Sequence, residues 1–143
     1  MCKANFHSIV GFPGVIACVD CTHIRMQGPR KAVEKDYVNR KGYHSINTQG
    51  IVNADGLFLN LVARWPGSVH DSFIFRTSNL GRALEDDPRS GGIEGGLLLG
   101  DSGYALSRFL VTPYMQHQPR KDKKGNFQKI FCSMMLTLLQ EVL

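Results

Sequence analysis

The chain has 143 residues, a length that suits one domain with a hydrophobic core of its own, because chains near this size bury roughly 70% of their unfolded surface. Hydrophobic residues make up 43% and charged residues 20%, which excludes the low-hydrophobicity, high-charge make-up of disorder. Lysine and arginine outnumber aspartate and glutamate 17 to 12, a formal charge of +5 that favours a polyanion such as nucleic acid without specifying how it is held.

No apolar run approaches the roughly 20 residues a membrane helix needs, and the start, Met1-Cys-Lys-Ala-Asn, lacks the apolar stretch of a secretory signal. The expectation is an intracellular protein with no membrane partner. Cys2, Cys18, Cys21 and Cys132 have no framework-like spacing and suit a reducing compartment as free thiols. Cys18-Val-Asp-Cys21 does spell C-x-x-C, but Cys132 stands alone as a further ligand, and strand positions three apart point to opposite faces.

In chain order, the β-branched run from Gly14 to Met26 predicts a long, largely buried strand. Residues 29–44 hold Pro29, Arg30, Lys31, Lys35, Arg40 and Lys41 among Tyr37 and Tyr43, and predict a basic surface connection. Ser45 to Val52 and Leu57 to Arg64 flank Asn53-Ala-Asp-Gly56, an Asp-Gly signal for a hairpin, so the first three strands form a meander. Ser68 with Asp71 three residues on reads as a capping box opening a helix through Phe73, Ile74 and Phe75. An acidic and then glycine-rich loop, 85–96, precedes the apolar fourth strand Leu97-Leu-Leu-Gly-Asp101, and Phe109 to Thr112 reads as a fifth. Beyond the basic stretch Arg120 to Lys124, the residues Phe131, Met134, Met135, Leu138, Leu139 and Val142 recur at three- and four-residue intervals, as on one helix face.

Asp20 is the most informative residue. It interrupts an apolar strand on the same parity as Ile16, Cys18, Ile24 and Met26, and a carboxylate there needs a cation, a partner or a raised pKa. Asp101 closes the fourth strand at Ser-Gly-Tyr104, where it reads either as a turn former beside Gly103 or as a ligand at a strand end. Two apolar strands that each deliver an aspartate to a loop can place both carboxylates around one hard cation. Asp71 is explained equally by helix capping or by that site, and His70 beside it can orient a water or a phosphate. For His23, Asp36 and Asp55, turn and strand-end roles are the stronger reading. The basic connection has the make-up of a phosphate-contacting surface with aromatics for stacking, and equally of a solvated loop.

Taken together, Val19-Asp-Cys-Thr-His-Ile24, Tyr37-Val-Asn-Arg-Lys-Gly-Tyr-His-Ser-Ile-Asn-Thr-Gln49, Ala63-Arg-Trp-Pro-Gly-Ser-Val-His-Asp-Ser72, Leu99-Gly-Asp-Ser-Gly-Tyr104 and Leu110-Val-Thr-Pro-Tyr114 resemble the PIF/Harbinger transposases and their domesticated nuclease relatives in order and approximate spacing. The resemblance implies an RNase H-like α/β fold, in which three antiparallel strands are continued by parallel ones with flanking helices. It also implies DDE-type cleavage of DNA with Mg²⁺ or Mn²⁺, with Asp20 and Asp101 as catalytic aspartates and Asp71 as a further metal ligand. Arg30, Lys31, Lys35, Arg40 and Lys41 are then the nucleic-acid contacts. A nuclear location, with the cytoplasm as the alternative, and a separate DNA-binding partner protein belong to the same expectation.

The end of the chain departs from the family. Its members carry a catalytic glutamate beyond the fifth strand, in a context like Arg-x-x-x-Glu-x-x-Phe-Gly, and that string is absent; Glu141 is the acidic residue left after Asp122 and is the candidate in its place. Residues 10–143 are accordingly read as the endonuclease domain, with 119–143 matching the family poorly, 1–9 as an N-terminal remnant, and both ends as truncated. The competing expectation is a catalytically inactive relative that keeps the fold to bind DNA or protein.

Overall fold

A computed structural model of the chain describes residues 13–86 and 95–112. Five strands, β1 (Val15–Arg25), β2 (Ser45–Asn53), β3 (Phe58–Pro66), β4 (Leu97–Leu99) and β5 (Leu110–Val111), form one sheet in the order β3-β2-β1-β4-β5. The β1–β2 and β2–β3 pairs are antiparallel, and β1–β4 and β4–β5 are parallel. This is the expected RNase H-like mixed sheet, with the meander on one side of β1 and the parallel strands on the other.

The hairpin forms where the Asp-Gly pair signals it, though through a wider turn than two residues. Asn53 Oδ1 accepts the N–H groups of Asp55 and Leu57 at 3.0 and 2.8 Å. Gly56 takes the left-handed φ of +80° that closes the loop. Its register is read from alternation: Ile51 and Val52 are fully buried on β2, whereas the outer strand β3 alternates half-buried with exposed residues.

Three helices complete the described residues. The basic connection is not wholly irregular, since Glu34–Tyr37 forms the one-turn α1. The helix expected around Phe73 is α2 (Asp71–Thr77), and a second one, α3 (Asn79–Asp86), follows it directly. Sequence reading missed the break because Ser78 both ends α2 and starts α3: its Oγ donates to the Phe75 carbonyl at 2.7 Å and accepts the Gly81 N–H at 3.0 Å.

Ile74 and Phe75 of α2 and Leu84 of α3 are buried, and Phe75 and Leu84 join a core with Ile16, Ala17, Val19, Ile51, Leu98, Tyr104, Phe109 and Leu110. Two ring contacts fix Phe75 there, edge-to-face on Tyr104 at 6.0 Å and tilted against Phe109 at 6.3 Å. Among the described residues no helix is long and apolar enough to cross a membrane. The amphipathic segment around Phe131, Cys2, Cys132 and Glu141 lie outside them.

Candidate active site

Asp20 lies where β1 passes from buried to half-buried positions. Asp20 lies two residues beyond the last β1–β4 pair, Cys18↔Leu99, and Asp101 follows the end of β4 by two residues. Asp71 comes from the far side of the meander: β3 ends at Pro66, the chain turns through Gly67-Ser-Val-His70, and α2 begins at Asp71 against β2.

The three carboxylates share one electrostatic neighbourhood. Burial pushes the Asp20 carboxyl up to about 7; the Cys21 N–H bonded to it works the other way, and the charges of Asp101 and then Asp71 raise it further. Each carboxylate also has its own local donor. Asp20 Oδ1 accepts from Cys21 N at 2.7 Å, Asp71 Oδ1 from Asn47 Nδ2 at 2.8 Å, and Asp101 Oδ1 from Gly103 N at 2.8 Å. Held this way they stand apart, and among the described residues no three His, Cys, Asp or Glu side chains are gathered at metal-ligating geometry. As a donor set, three carboxylates suit a hard, oxygen-seeking divalent cation, and burial, more than neighbouring charge, disfavours the ionised Asp20 that such a cation would stabilise.

The turn-forming reading of Asp101 holds, since the Asx bond to Gly103 and a Tyr104 N–H to Asp101 carbonyl bond of 3.3 Å build the turn that carries its side chain. The capping box at Ser68 does not form. His70 is the N-cap and makes no side-chain cap bond, the Ser68 N–H donates to the Asp36 carbonyl at 3.1 Å, and the Asp71 carboxylate is engaged across the sheet by Asn47.

Gly67 makes this approach feasible, because a Cβ there would run into Ser45 Oγ and the Tyr37 carbonyl. Ser45 is a junction in turn: its Oγ takes a bond from Asn39 Nδ2 at 2.9 Å and pairs with His23 Nδ1 at 3.1 Å. Asn39 Oδ1 collects the N–H groups of Lys41 and Tyr43, at 2.9 and 3.4 Å, and so shapes the tip of the basic connection.

That tip lies against the start of α2. Arg40 Nη2 lies 2.6 Å from His70 Nδ1. His23 is held below its usual pKa first by burial, with Asp71 opposing and Lys41 and Arg40 reinforcing, so His23, Asp71, Arg40 and Lys41 are neighbours. Of the five basic residues expected to contact nucleic acid, Arg40 and Lys41 lie near His23, and Arg40 reaches His70. Arg30, Lys31 and Lys35 are exposed earlier in the same connection, the last of them within α1.

Cys18 and Cys21 are free and face opposite sides of β1, with Cys21 Sγ 3.2 Å from the Tyr104 hydroxyl; burial raises both thiols, so neither is a thiolate. Sequence reasoning gave no role to Asn39, Ser45 and Asn47. For Ser45 and Asn47 the signal was the run Ser45-Ile-Asn-Thr-Gln49, unusually polar for a central strand, in which these two side chains have partners inside.

A family model described as DDE superfamily endonuclease matches residues 19–133, a span that includes all three aspartates and the basic connection. The chain belongs to that superfamily. Among curated proteins, this DDE-superfamily chain is 37% identical over 111 residues to "Putative nuclease HARBI1" of Rattus norvegicus, an alignment covering 78% of the chain and 30% of that protein. It is 32% identical over 139 residues to "Protein ALP1-like" of Arabidopsis thaliana, covering 89% of the chain and 34% of the relative. The chain thus spans about a third of the length of the curated relatives it matches. No solved structure matches it. The resemblance drawn from the motifs holds at the level of the family.

Proposed function

We propose that the chain carries the sheet-borne part of a divalent-metal-dependent DNA endonuclease site, with Asp20 and Asp101 as the catalytic carboxylates and Asp71 as a further metal ligand. The observation that supports this reading is that Asp101, two residues past the end of β4, and Asp71 both lie close enough to act on the Asp20 carboxyl. Mg²⁺ or Mn²⁺ bound there supplies a polarised water and neutralises charge on the leaving oxygen. The chain's own residues do the rest: Arg40 and Lys41 hold phosphates beside the carboxylates, Arg30, Lys31 and Lys35 extend the contact along the strand, and Glu141 is the candidate for the last carboxylate. DNA as substrate implies work in the nucleus, with a separate DNA-binding protein supplying sequence recognition.

Nicking of supercoiled plasmid in Mg²⁺ tests this. Asp20→Asn and Asp101→Asn are expected to fall to background while keeping the parent's circular dichroism; equal nicking by parent and variants would sink the assignment.

A second reading is binding of DNA or protein without cleavage, and what favours it is that each of the three carboxylates among the described residues is engaged by its own local donor. A parent chain that binds DNA and nicks nothing decides for it.

A further inference from the structure

Asn47 is 1% exposed, in the middle strand of the meander, with His23 opposite it on β1 and Trp65 opposite it on β3. A buried amide is tolerated when its donors and acceptors are used, and those of Asn47 are used unevenly. Its Nδ2 makes two bonds, to the Val69 carbonyl at 2.9 Å and to Asp71 Oδ1 at 2.8 Å. Its Oδ1 is buried and has no hydrogen-bond partner. One side chain therefore grips both the backbone just before α2 and the first side chain of α2, while its free acceptor lies on the same amide, necessarily next to the carboxylate it holds.

The backbone around Asn47 is also irregular. The β2–β3 register shifts between Asn47 and Thr48, a bulge of the kind that re-aims a side chain. The bond to the Val69 carbonyl is structural, and the bond to Asp71 adds to it. α2 is already anchored by Ile74 and Phe75, both buried, and by the edge-to-face contact of Phe73 with Trp65 at 5.2 Å. What the amide adds is a fixed rotamer for Asp71, and it leaves an acceptor beside it that an apolar residue would not provide.

We propose that Asn47 is the positioning residue of the cation site: its Nδ2 aims the Asp71 carboxylate towards the cation that the carboxylates would hold. This rests on the nuclease reading above. Partners one layer out from a metal ligand typically change metal affinity by 10- to 100-fold when removed, which sets the size of the effect to look for.

The test is a double-mutant cycle on the full chain, read as Mn²⁺ affinity by titration calorimetry, with melting temperature followed in parallel. Asn47→Ala is expected to weaken Mn²⁺ binding by about tenfold or more in the parent background, and by less than about twofold once Asp71→Ala is already present. Asn47→Leu, which keeps the approximate shape and has no donor or charge, repeats the cycle should the alanine variant fail to fold. A parent that binds Mn²⁺ and an Asn47 variant that binds it equally well overturn the inference alone. Equal losses in both backgrounds also overturn it, since they mark a general loss of structure. A parent that does not bind Mn²⁺ overturns the nuclease reading and this inference with it.

Discussion

Arg40 Nη2 and His70 Nδ1 lie 2.6 Å apart, so the tip of the basic connection is tied to the residue that precedes Asp71. Arg40 is always charged and has only donors, so His70 accepts with Nδ1 in this contact. A phosphate that takes a further donor of the same guanidinium is thereby located beside the carboxylates.

Arg40→Ala is accordingly expected to weaken DNA binding several-fold at moderate salt and to lower the slope of log affinity against log salt by about 1, the value for one lost phosphate contact. Arg40→Lys should restore the slope and only part of the affinity, because an ammonium cannot bond His70 and a phosphate in the same fixed fork. Fluorescence anisotropy across a salt series gives both quantities, and an unchanged slope in Arg40→Ala would remove Arg40 from the interface.

Asp20 makes the metal-free protein less stable as pH rises. Its folded-state pKa of about 7 exceeds the ordinary 3.8, mainly through burial, so between those values the folded chain holds a proton that the unfolded chain has lost. Stability therefore falls from about pH 4 to pH 7 on this account and levels off above. Asp20→Asn lacks the penalty. In chelator it should match the parent near pH 4 and melt several degrees higher at pH 8, an advantage of at most about 4 kcal/mol, less what solvent screening of a half-buried group removes. Equal melting temperatures at pH 8 would contradict the burial of that carboxyl.

The sheet was legible in the sequence because alternation and turn chemistry are local. The β-branched run of β1, the Asp-Gly turn and the apolar triplet of β4 each announce themselves within about ten residues. Asp20 and Asp101 were legible for the same reason, as polar breaks in apolar strands. What stayed hidden is non-local. Asn47 engages Asp71 across 24 positions and Arg40 engages His70 across 30, and no spacing rule joins an asparagine in a strand to a helix start two elements later. The capping box at Ser68 misled because Ser-x-x-Asp satisfies the local pattern, whereas Asn47 supplies the donor that the carboxylate meets in the fold. The α2–α3 break was missed because Ser78 has an ordinary helix-surface identity, and only its bonds to Phe75 and Gly81 reveal the turn.

Gly67 lies in the Trp-Pro-Gly-Ser motif because backbone and side chain close over it. With Ser45 Oγ and the Tyr37 carbonyl in the way of any Cβ, and Ser45 committed to Asn39 and His23, Gly67→Ala must displace the network that carries both the basic tip and the entry to α2. A loss on the order of 2–3 kcal/mol is expected, the size usual for overpacking a closed site. Gly28→Ala is the control, because its nearest neighbour is a half-buried His44 ring at 3.3 Å that can give way. Denaturant unfolding of the two variants should separate them clearly; a mild Gly67→Ala would show that Ser45 and the Tyr37 carbonyl yield easily.

Cation binding at this site should release a proton, and the amount should depend on pH. With Asp20 titrating at about 7, most molecules carry its proton at pH 6 and few at pH 8, while a cation requires the carboxylate ionised. Mn²⁺ affinity is therefore expected to rise by nearly tenfold per unit as pH climbs towards 7 and to flatten above it. Calorimetry in buffers of different ionisation enthalpy should count close to one proton released at pH 6 and almost none at pH 8. Asp20→Asn should show neither the slope nor the release. A parent whose Mn²⁺ affinity is flat from pH 6 to pH 8 would mean that Asp20 is not among the groups that hold the cation.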